Sequence, residues 1–594
     1  MKLIELKAGP LKMAFDASNA FLRYVRLGDQ ELVRGVIAAI RDHNWDTISF
    51  SIDELTIQQM ENSFSIAFVA NSQRLDVPFV WKGSIEGTGE GLVRYHFDYL
   101  ATATFHRNRI GLCVLHPSDV CAGRTCRVDH VDGSTSLTKF PTFVSPHQPF
   151  KRVRAITLDV EPNVQATVTL AGDTFETEDQ RNWTDASFKT YSTPLDLPFP
   201  VQVENGTTIQ QSVTIEVMGF KPHTFATPTL VSKRPSTDPK RFDIDWNQPL
   251  RRPAIGCQWQ NELRTSSQNA LAQLRALGLD HLRCDVWLNQ ANWHADLMRA
   301  VAVSDAIECK LELALFVDSL SGSRWDECLN CIEELQLRLA RVLVLHSIRK
   351  TTPSEMVQPV HESLRCVAPN LQVVVGTNAY FAELNREPPS TVPNGKVCYS
   401  INPQVHAFDN RSLSETLSAQ RETVNSAVRL FNTDVVISPV TFRPRLNPNA
   451  TSTLDLETQL RSAIDPRQTT GFGAAWTVGV FSFLLTHPRV HSATLFEAFG
   501  CRGIIGADGR EFPMTGPIAH ILRSKNLFDG ASSSSRELVG LGTASELGKK
   551  HVVFGNLTED EHVVHFRTPL GRERELVVPS ESVQIVCMED LVDA

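Results

Sequence analysis

The chain opens on alternation. Runs such as Ile48-Ser-Phe-Ser-Ile52, Ser63-Phe-Ser-Ile-Ala-Phe-Val69, Gly91-Leu-Val-Arg-Tyr-His-Phe97, Ala166-Thr-Val-Thr-Leu170 and Ser212-Val-Thr-Ile-Glu-Val217 place apolar side chains at every second position, with Gly, Asn and Pro between runs. Period two predicts strands with one buried face, and so many in one block predict an N-terminal antiparallel β-sandwich over residues 1–230. One stretch departs from the rhythm. Asp29–Arg41 carries Leu32, Val33, Val36, Ile37 and Ile40 at helical spacing and is read as the helix of this block.

Thr227–Pro249, with Pro228, Pro235, Pro239 and several charges, reads as a linker, set at residues 231–252. The pattern then changes to eight short apolar runs, beginning at Ile255, His281, Lys310, Val342, Leu371, Val397, Val435 and Ala493. Helical periodicity fills nearly all the gaps, as in Ser266–Leu277 and Leu413–Leu430. Strands apolar on both faces alternating with helices predict a central (β/α)8 TIM-like barrel, set at residues 253–530. Residues 531–594 return to strands at His551–Phe554, His562–Phe566, Glu575–Val578 and Val583–Cys587, a small C-terminal β domain that begins near the Ser532–Ser535 loop. The fold class is multidomain α/β plus β.

Composition narrows the function. Apolar content of 42% and charged content of 21% over 594 residues are those of a soluble globular protein. A net charge of −9, without long runs of one sign, repels phosphate backbones, so no nucleic acid partner is expected. Glu5 and Lys7 interrupt the apolar core a signal peptide needs, and no window has the length of a membrane span, so no membrane partner is expected. The twelve cysteines sit mostly beside apolar neighbours and read as free thiols of a cytoplasmic protein. Cys328 and Cys331 fall inside the helical pattern Trp325–Val342 and read as two thiols on a helix. His361-Glu-Ser-Leu-Arg365 lacks the second His of a metalloprotease helix, and Gly-x-Ser-x-Gly is absent, which disfavours a serine α/β-hydrolase. No metal and no cofactor are assigned, and whether the chain forms a homo-oligomer is left open.

The densest polar stretch is Phe175-Glu-Thr-Glu-Asp-Gln-Arg-Asn-Trp-Thr-Asp-Ala-Ser-Phe-Lys-Thr-Tyr191, four carboxylates interleaved with aromatics. Such a network either fixes a domain junction or lines a pocket. Together with Asn108-Arg-Ile-Gly-Leu-Cys-Val-Leu-His-Pro117 and Gly376-Thr-Asn-Ala-Tyr-Phe-Ala-Glu-Leu-Asn-Arg386, it resembles the D-apionate lactonase family of sugar-acid enzymes, from about residue 100 through Glu497. The resemblance implies hydrolysis of a small sugar lactone, D-apionolactone, to D-apionate in bacterial apiose catabolism. It assigns no catalytic residues, so these are argued from position.

In a barrel, reactive groups come from the carboxyl ends of strands. Those positions hold Arg283 and Asp285, Asp318, His346, Asn378 and Glu383, Gln404, His406 and Asp409, and Glu497. Glu497 leaves an apolar strand between two Phe residues, where desolvation suits an acid or base, or else it pairs with Arg502 or Arg443. Glu383 among aromatics is a second acid or the partner of Arg386, and His406 precedes Asp409, a carboxylate able to orient it. Catalysis is therefore assigned to Glu497, Glu383 and His406. Substrate contacts are assigned to Asn378, Arg283, Asp285, Gln404 and Asp409, and to Glu178, Arg181 and Asn182 if the polar stretch meets the barrel mouth. Trp259, Trp287 and Trp293 are candidates for stacking on a sugar ring or for filling core. Two other readings stand beside the lactonase: a glycoside hydrolase using Glu383 and Glu497 as its carboxyl pair, and a noncatalytic carbohydrate-binding protein.

Overall fold

The computed structural model describes residues 3–219, 240–260, 267–392, 395–450 and 461–589. The chain forms two compact units, one built on the N-terminal strands and the other on the barrel and the C-terminal strands, with Asn182–Asp185 counted in the second.

Among the described residues of the first unit every strand pairing is antiparallel. One succession runs Phe50–Gln59, Phe64–Ser72, Phe79–Gly87, Leu92–Ala101, Thr208–Met218, Val164–Ala171, Phe150–Glu161. A second runs Ile4–Ala8, Leu11–Asp16, Phe21–Leu27, Gln30–Asp42, Phe105–Pro117, Ser187–Tyr191. Phe175–Asp179 pairs with Phe150–Glu161 and with Ser187–Tyr191, joining the two successions into a nearly closed, sandwich-like sheet. The alternation buries what it predicts. Phe79, Trp81 and Ile85 point into one core, where Trp81 meets Phe68 edge-on at 4.9 Å between centroids.

The helix expected over Asp29–Arg41 is a strand, Gln30–Asp42. It is bonded along both edges, to Phe21–Leu27 and Phe105–Pro117. Side chains from Glu31 through Val36 are all buried, including a buried Arg34–Glu31 ion pair at 2.5 Å. Burial on both faces fills in the polar positions of period two, and what remains of the apolar pattern imitates a helix. β-Branched Val33, Val36, Ile37 and Ile40 carry the competing signal, and packing decides it.

In the second unit eight parallel strands close a barrel: β1 (Ala254–Gln258), β2 (His281–Trp287), β3 (Lys310–Val317), β4 (Leu339–His346), β5 (Val373–Gly376), β6 (Lys396–Ile401), β7 (Asp434–Val440) and β8 (Val490–Phe499), with β8 pairing back to β1. The helices between them are α1 (Gln268–Leu277), α2 (Trp293–Ala306), α3 (Ser323–Leu335), α4 (Ser354–Val367), α5 (Phe381–Arg386), α6 (Asn410–Phe431) and α7 (Gly471–Val480). The helical layer is uneven, from 6 residues in α5 to 22 in α6. Helix ends are set by local chemistry. The Ser267 side chain accepts from Ala270 N at the start of α1, and Gly278 closes it at φ 72°.

Strands that follow the barrel form two small sheets, and both recruit residues from before it. Lys240–Ile244 pairs with His562–Arg567 and Gly530–Ser532, and Leu250–Arg251 pairs with Ser524–Phe528. The expected linker therefore ends in strand, while its earlier part, to Pro239, lies outside the described residues. α7 packs on Lys550–Asn556, where Gly555 allows close approach, since a Cβ there would meet the Ala475 carbonyl oxygen at 2.9 Å. Among the described residues no helix is long and apolar enough to cross a membrane, and all twelve cysteines are free.

Candidate active site

The barrel interior has two halves. From β3 to β7, Ala314, Phe316, Leu343, Leu345, Val374, Cys398 and Val436 make one apolar cluster. Against it stands a buried polar column. Strand pairing sets Arg283 beside Glu312 and Glu312 beside Arg341. Arg341 Nη1 donates to Glu312 Oε2 at 2.6 Å, and Thr494 and Ser438 hydroxyls donate to Glu312 Oε1. His281 Nε2 lies 2.9 Å from Thr494 Oγ1 and 3.6 Å from Glu312. Burial alone would raise the Glu312 pKa, but His281, Arg341, Arg283 and the Ser438 hydroxyl hold it at about 2. Desolvation lowers His281 to about 4, so at neutral pH its ring is uncharged and the two guanidiniums supply the attraction.

Arg283, fully buried, carries this column to the carboxyl ends of the strands. Its Nη1 donates to Ser438 O and Oγ, its Nε to Asp285 Oδ1 at 2.7 Å, and its Nη2 to Asn378 Oδ1 at 2.7 Å. Arg445, from the loop after β7, completes the mouth. Its Nη2 donates to the same Asn378 oxygen at 2.6 Å, and its Nη1 to Asp285 Oδ2 and Gln258 Oε1. Burial would raise Asp285, yet the charges and hydrogen bonds of Arg283 and Arg445 outweigh it and keep the carboxylate ionised. Arg445 falls to about 10, through burial and the neighbouring Arg283, with Asp285 and Glu497 pulling the other way. Solvent reaches the network here, since the Asp285 and Arg445 side chains are 15% and 16% exposed while Arg283 is sealed.

Glu497 lies on the same rim. Gln258 of β1 is its register partner, Gln260 Nε2 donates to its Oε2, and Arg502 Nε approaches that oxygen at 3.1 Å. Of the two Arg partners weighed from sequence, Arg443 instead meets Asp465 at 3.3 Å. Trp287 projects above Asp285 on β2 and stacks on Phe316 at 3.8 Å and 2°, a partly exposed aromatic wall, whereas Trp259 and Trp293 are buried.

Of the other sequence candidates, His406 keeps near the Arg445 loop, because Trp183, which its ring meets, clusters with Tyr380, whose hydroxyl donates to the Leu446 carbonyl, and the rest scatter. His406 Nδ1 lies 2.6 Å from Asp185 Oδ2, with Trp183 edge-on at 5.4 Å, so the carboxylate that orients it is Asp185 and not Asp409. Asp409 caps α6, accepting from Ser412 N and Oγ. Glu383 caps α5 through Tyr380 N at 3.1 Å, its pKa raised by burial against the pull of Arg386 and Lys350. Gln404 is buried, bonded to Phe442 O, Asp465 and Arg467. Asp318 accepts from Asn289, and His346 Nδ1 accepts from the amides of Ile348 and Arg349. The long polar motif divides. Glu178 pairs with Lys189 at 2.5 Å, and Arg181 binds Asp179 and the carbonyls of Pro141 and Thr142, all in the first unit. Asn182 accepts from Asn385 at 3.0 Å in the second. The strand-end rule did not find Gln258, Gln260, Glu312, Arg341 or Arg445. Glu312 and Arg341 had a legible signal, a charge enclosed by apolar neighbours within a strand.

Among solved structures, the chain is similar to a GH30 endoxylanase from Clostridium papyrosolvens C71, at TM-score 0.37 and 8% identity over 58% of this chain and 99% of that one. It is similar to a GH51 arabinofuranosidase from Xanthomonas axonopodis pv. citri at TM-score 0.33 and 10% identity, over 59% and 99%. Likeness that loose carries no argument about chemistry. The D-apionate lactonase of Brucella anthropi is 29% identical over 528 residues, covering 86% of this chain and 84% of that protein. The D-apionate lactonase N-terminal domain matches residues 1–219, and the D-apionate lactonase TIM barrel domain matches residues 255–528. Matched through both domains over most of its length, the chain belongs to the D-apionate lactonase family, hydrolases acting on the ester bond of a lactone.

Proposed function

We propose that the protein opens D-apionolactone to D-apionate, as a step of bacterial apiose catabolism, at the barrel mouth around Glu497. The observation that carries this reading is the convergence of Glu497, Asp285, Asn378 and Arg445 from four different strand ends, with the Asp285 carboxylate ionised between two guanidiniums and Glu497 paired with Arg502. Ester hydrolysis needs a base for the attacking water, a donor for the developing oxyanion and an acid for the leaving oxygen.

Glu497 takes a proton from water as the water oxygen bonds to the lactone carbonyl carbon. Arg445, fixed by Asp285 and Asn378, supports the negative charge on the former carbonyl oxygen. The tetrahedral centre then collapses, the ring C–O bond breaks, and the ring oxygen leaves as a hydroxyl with a proton from His406, held by Asp185. The acid formed ionises to the carboxylate and its proton goes to solvent, while the proton taken by Glu497 returns through water to His406 and restores both groups. Glu383 has no part in this scheme, because its carboxylate caps α5.

Acid release from D-apionolactone measured with purified protein tests the reading. Ring opening at the uncatalysed rate, from mildly acidic to alkaline pH and with divalent metals added, would remove it. Release of aryl alcohol from aryl glycosides, with lactones untouched, would return the glycoside hydrolase reading.

A further inference from the structure

Two buried polar atoms at the end of β1 stand out. Trp259 Nε1 and Gln260 Oε1, on consecutive residues leaving β1, are buried and make no hydrogen bond among the described residues. The amide orientation of Gln260 is determined by its neighbour. Its Nε2 donates to the Glu497 carboxylate, and turning the amide over would set oxygen against oxygen, so the unused atom is an acceptor. Both side chains meet one face of β8. Gln260 bonds Glu497, the Trp259 ring stands edge-on to Phe499 at 6.4 Å, and residues two apart on a strand share a side.

Trp81 Nε1 and Tyr99 Oη are also unbonded, but both lie among the aromatic rings of the first unit's core. The pair at 259 and 260 differs in leaving a barrel strand at its carboxyl end, where ligands bind, with Gln260 bonded to a carboxylate. A buried indole N–H ordinarily finds an acceptor, and a buried amide oxygen a donor. One unused donor and one unused acceptor on consecutive residues match a hydroxyl group, which accepts one hydrogen bond and donates another.

We infer that Trp259 and Gln260 form a hydroxyl-recognition subsite, with Trp259 Nε1 donating to, and Gln260 Oε1 accepting from, one hydroxyl of a polyhydroxylated lactone. The inference rests on the assignment of lactone hydrolysis to the Glu497 rim and specifies the ligand class there. An analogue without the hydroxyl leaves both buried atoms unpaired, so the site selects hydroxylated lactones over plain ones. The same Gln260 amide that holds the base then holds the substrate, which fixes the carbonyl relative to Glu497.

The test compares kcat/KM for D-apionolactone and for γ-butyrolactone, a lactone without hydroxyls, in the wild type, in Trp259→Phe, which keeps the ring and removes the N–H, and in Gln260→Met. The wild type is expected to prefer the hydroxylated lactone by at least about 100-fold, and each variant to cut that ratio by at least about ten-fold. Equal losses on both lactones, or an unchanged ratio, overturn the subsite. If the wild type opens neither lactone, the proposed activity falls, and the subsite is judged by melting temperature with D-apionate against butyrate. A stabilisation specific to D-apionate and abolished in Trp259→Phe supports it, whereas no such stabilisation, or one that survives in Trp259→Phe, overturns it.

Discussion

Glu312→Gln keeps the size of a fully buried side chain and removes its charge. Arg341, 4% exposed and bonded to Glu312 at 2.6 Å, then loses its counter-charge in the barrel interior. Depression of the Glu312 pKa from 4.5 to about 2, at about 1.4 kcal/mol per pKa unit, corresponds to about 3 kcal/mol of stabilisation. The share owed to protonated His281 is absent at neutral pH, while removing one partner of a buried pair costs roughly 3 to 5 kcal/mol. Together these give an expected loss of about 2 to 4 kcal/mol, or roughly 30- to 1000-fold faster hydrogen exchange in β3 and β4 where opening limits exchange. Because the folded pKa is depressed, the stabilisation is present above 4.5 and is lost as pH falls toward about 2, so the gap between wild type and variant narrows below pH 4.5. Exchange mass spectrometry on peptides covering Lys310–Val317 and Leu339–His346 reads both effects. Exchange within about two-fold of wild type at neutral pH, or a gap as wide in acid as at neutrality, refutes the reasoning.

Glu497→Gln is expected to lower turnover by at least about 100-fold while the melting temperature falls only a few degrees, because Arg502 is 17% exposed and keeps part of its hydration. A variant that melts early yet turns over near-normally per folded molecule ends the case for Glu497 as base. Asp185→Asn and His406→Gln should each lower turnover by about ten-fold or more, and the double variant no further, if the two act as one unit; additive losses in the double variant count against the pair. Asp409→Ala removes the cap of α6 and should cost about 1 kcal/mol of stability without changing KM, so a raised KM at unchanged stability would restore Asp409 to the binding site.

The barrel was legible because each of its strands is apolar on both faces and bounded by turns, a local signal that needs no partner to be read. Gln30–Asp42 was not, because its neighbours bury both faces and hide the alternation. Lys240–Ile244 was not, because its partner His562–Arg567 is more than three hundred residues away in sequence. The site shows the same division. Arg283, Asp285, Asn378 and Glu497 follow from the strand-end rule, but Arg445 comes from a loop whose path depends on closure of the barrel, and Gln260 matters only through Glu497. Asp409 and Glu383 had capping signatures in the sequence, an acid ahead of a helix in one and three residues into it in the other, and those local uses explain them.

The charged column also bears on how the barrel assembles. Side chains alternate inward and outward, so sliding β3 by one residue would turn Glu312 toward the helices and leave Arg341 without its counter-charge in the barrel interior. A barrel with Glu312 and Arg341 both replaced by Leu is expected to melt within a few degrees of wild type but to lose near-ultraviolet dichroism, and an undiminished spectrum would count against this reading. The apolar half accepts a misthreaded strand at little cost, whereas the charged half penalises each one by several kcal/mol, so it acts as a proofreading device for closure.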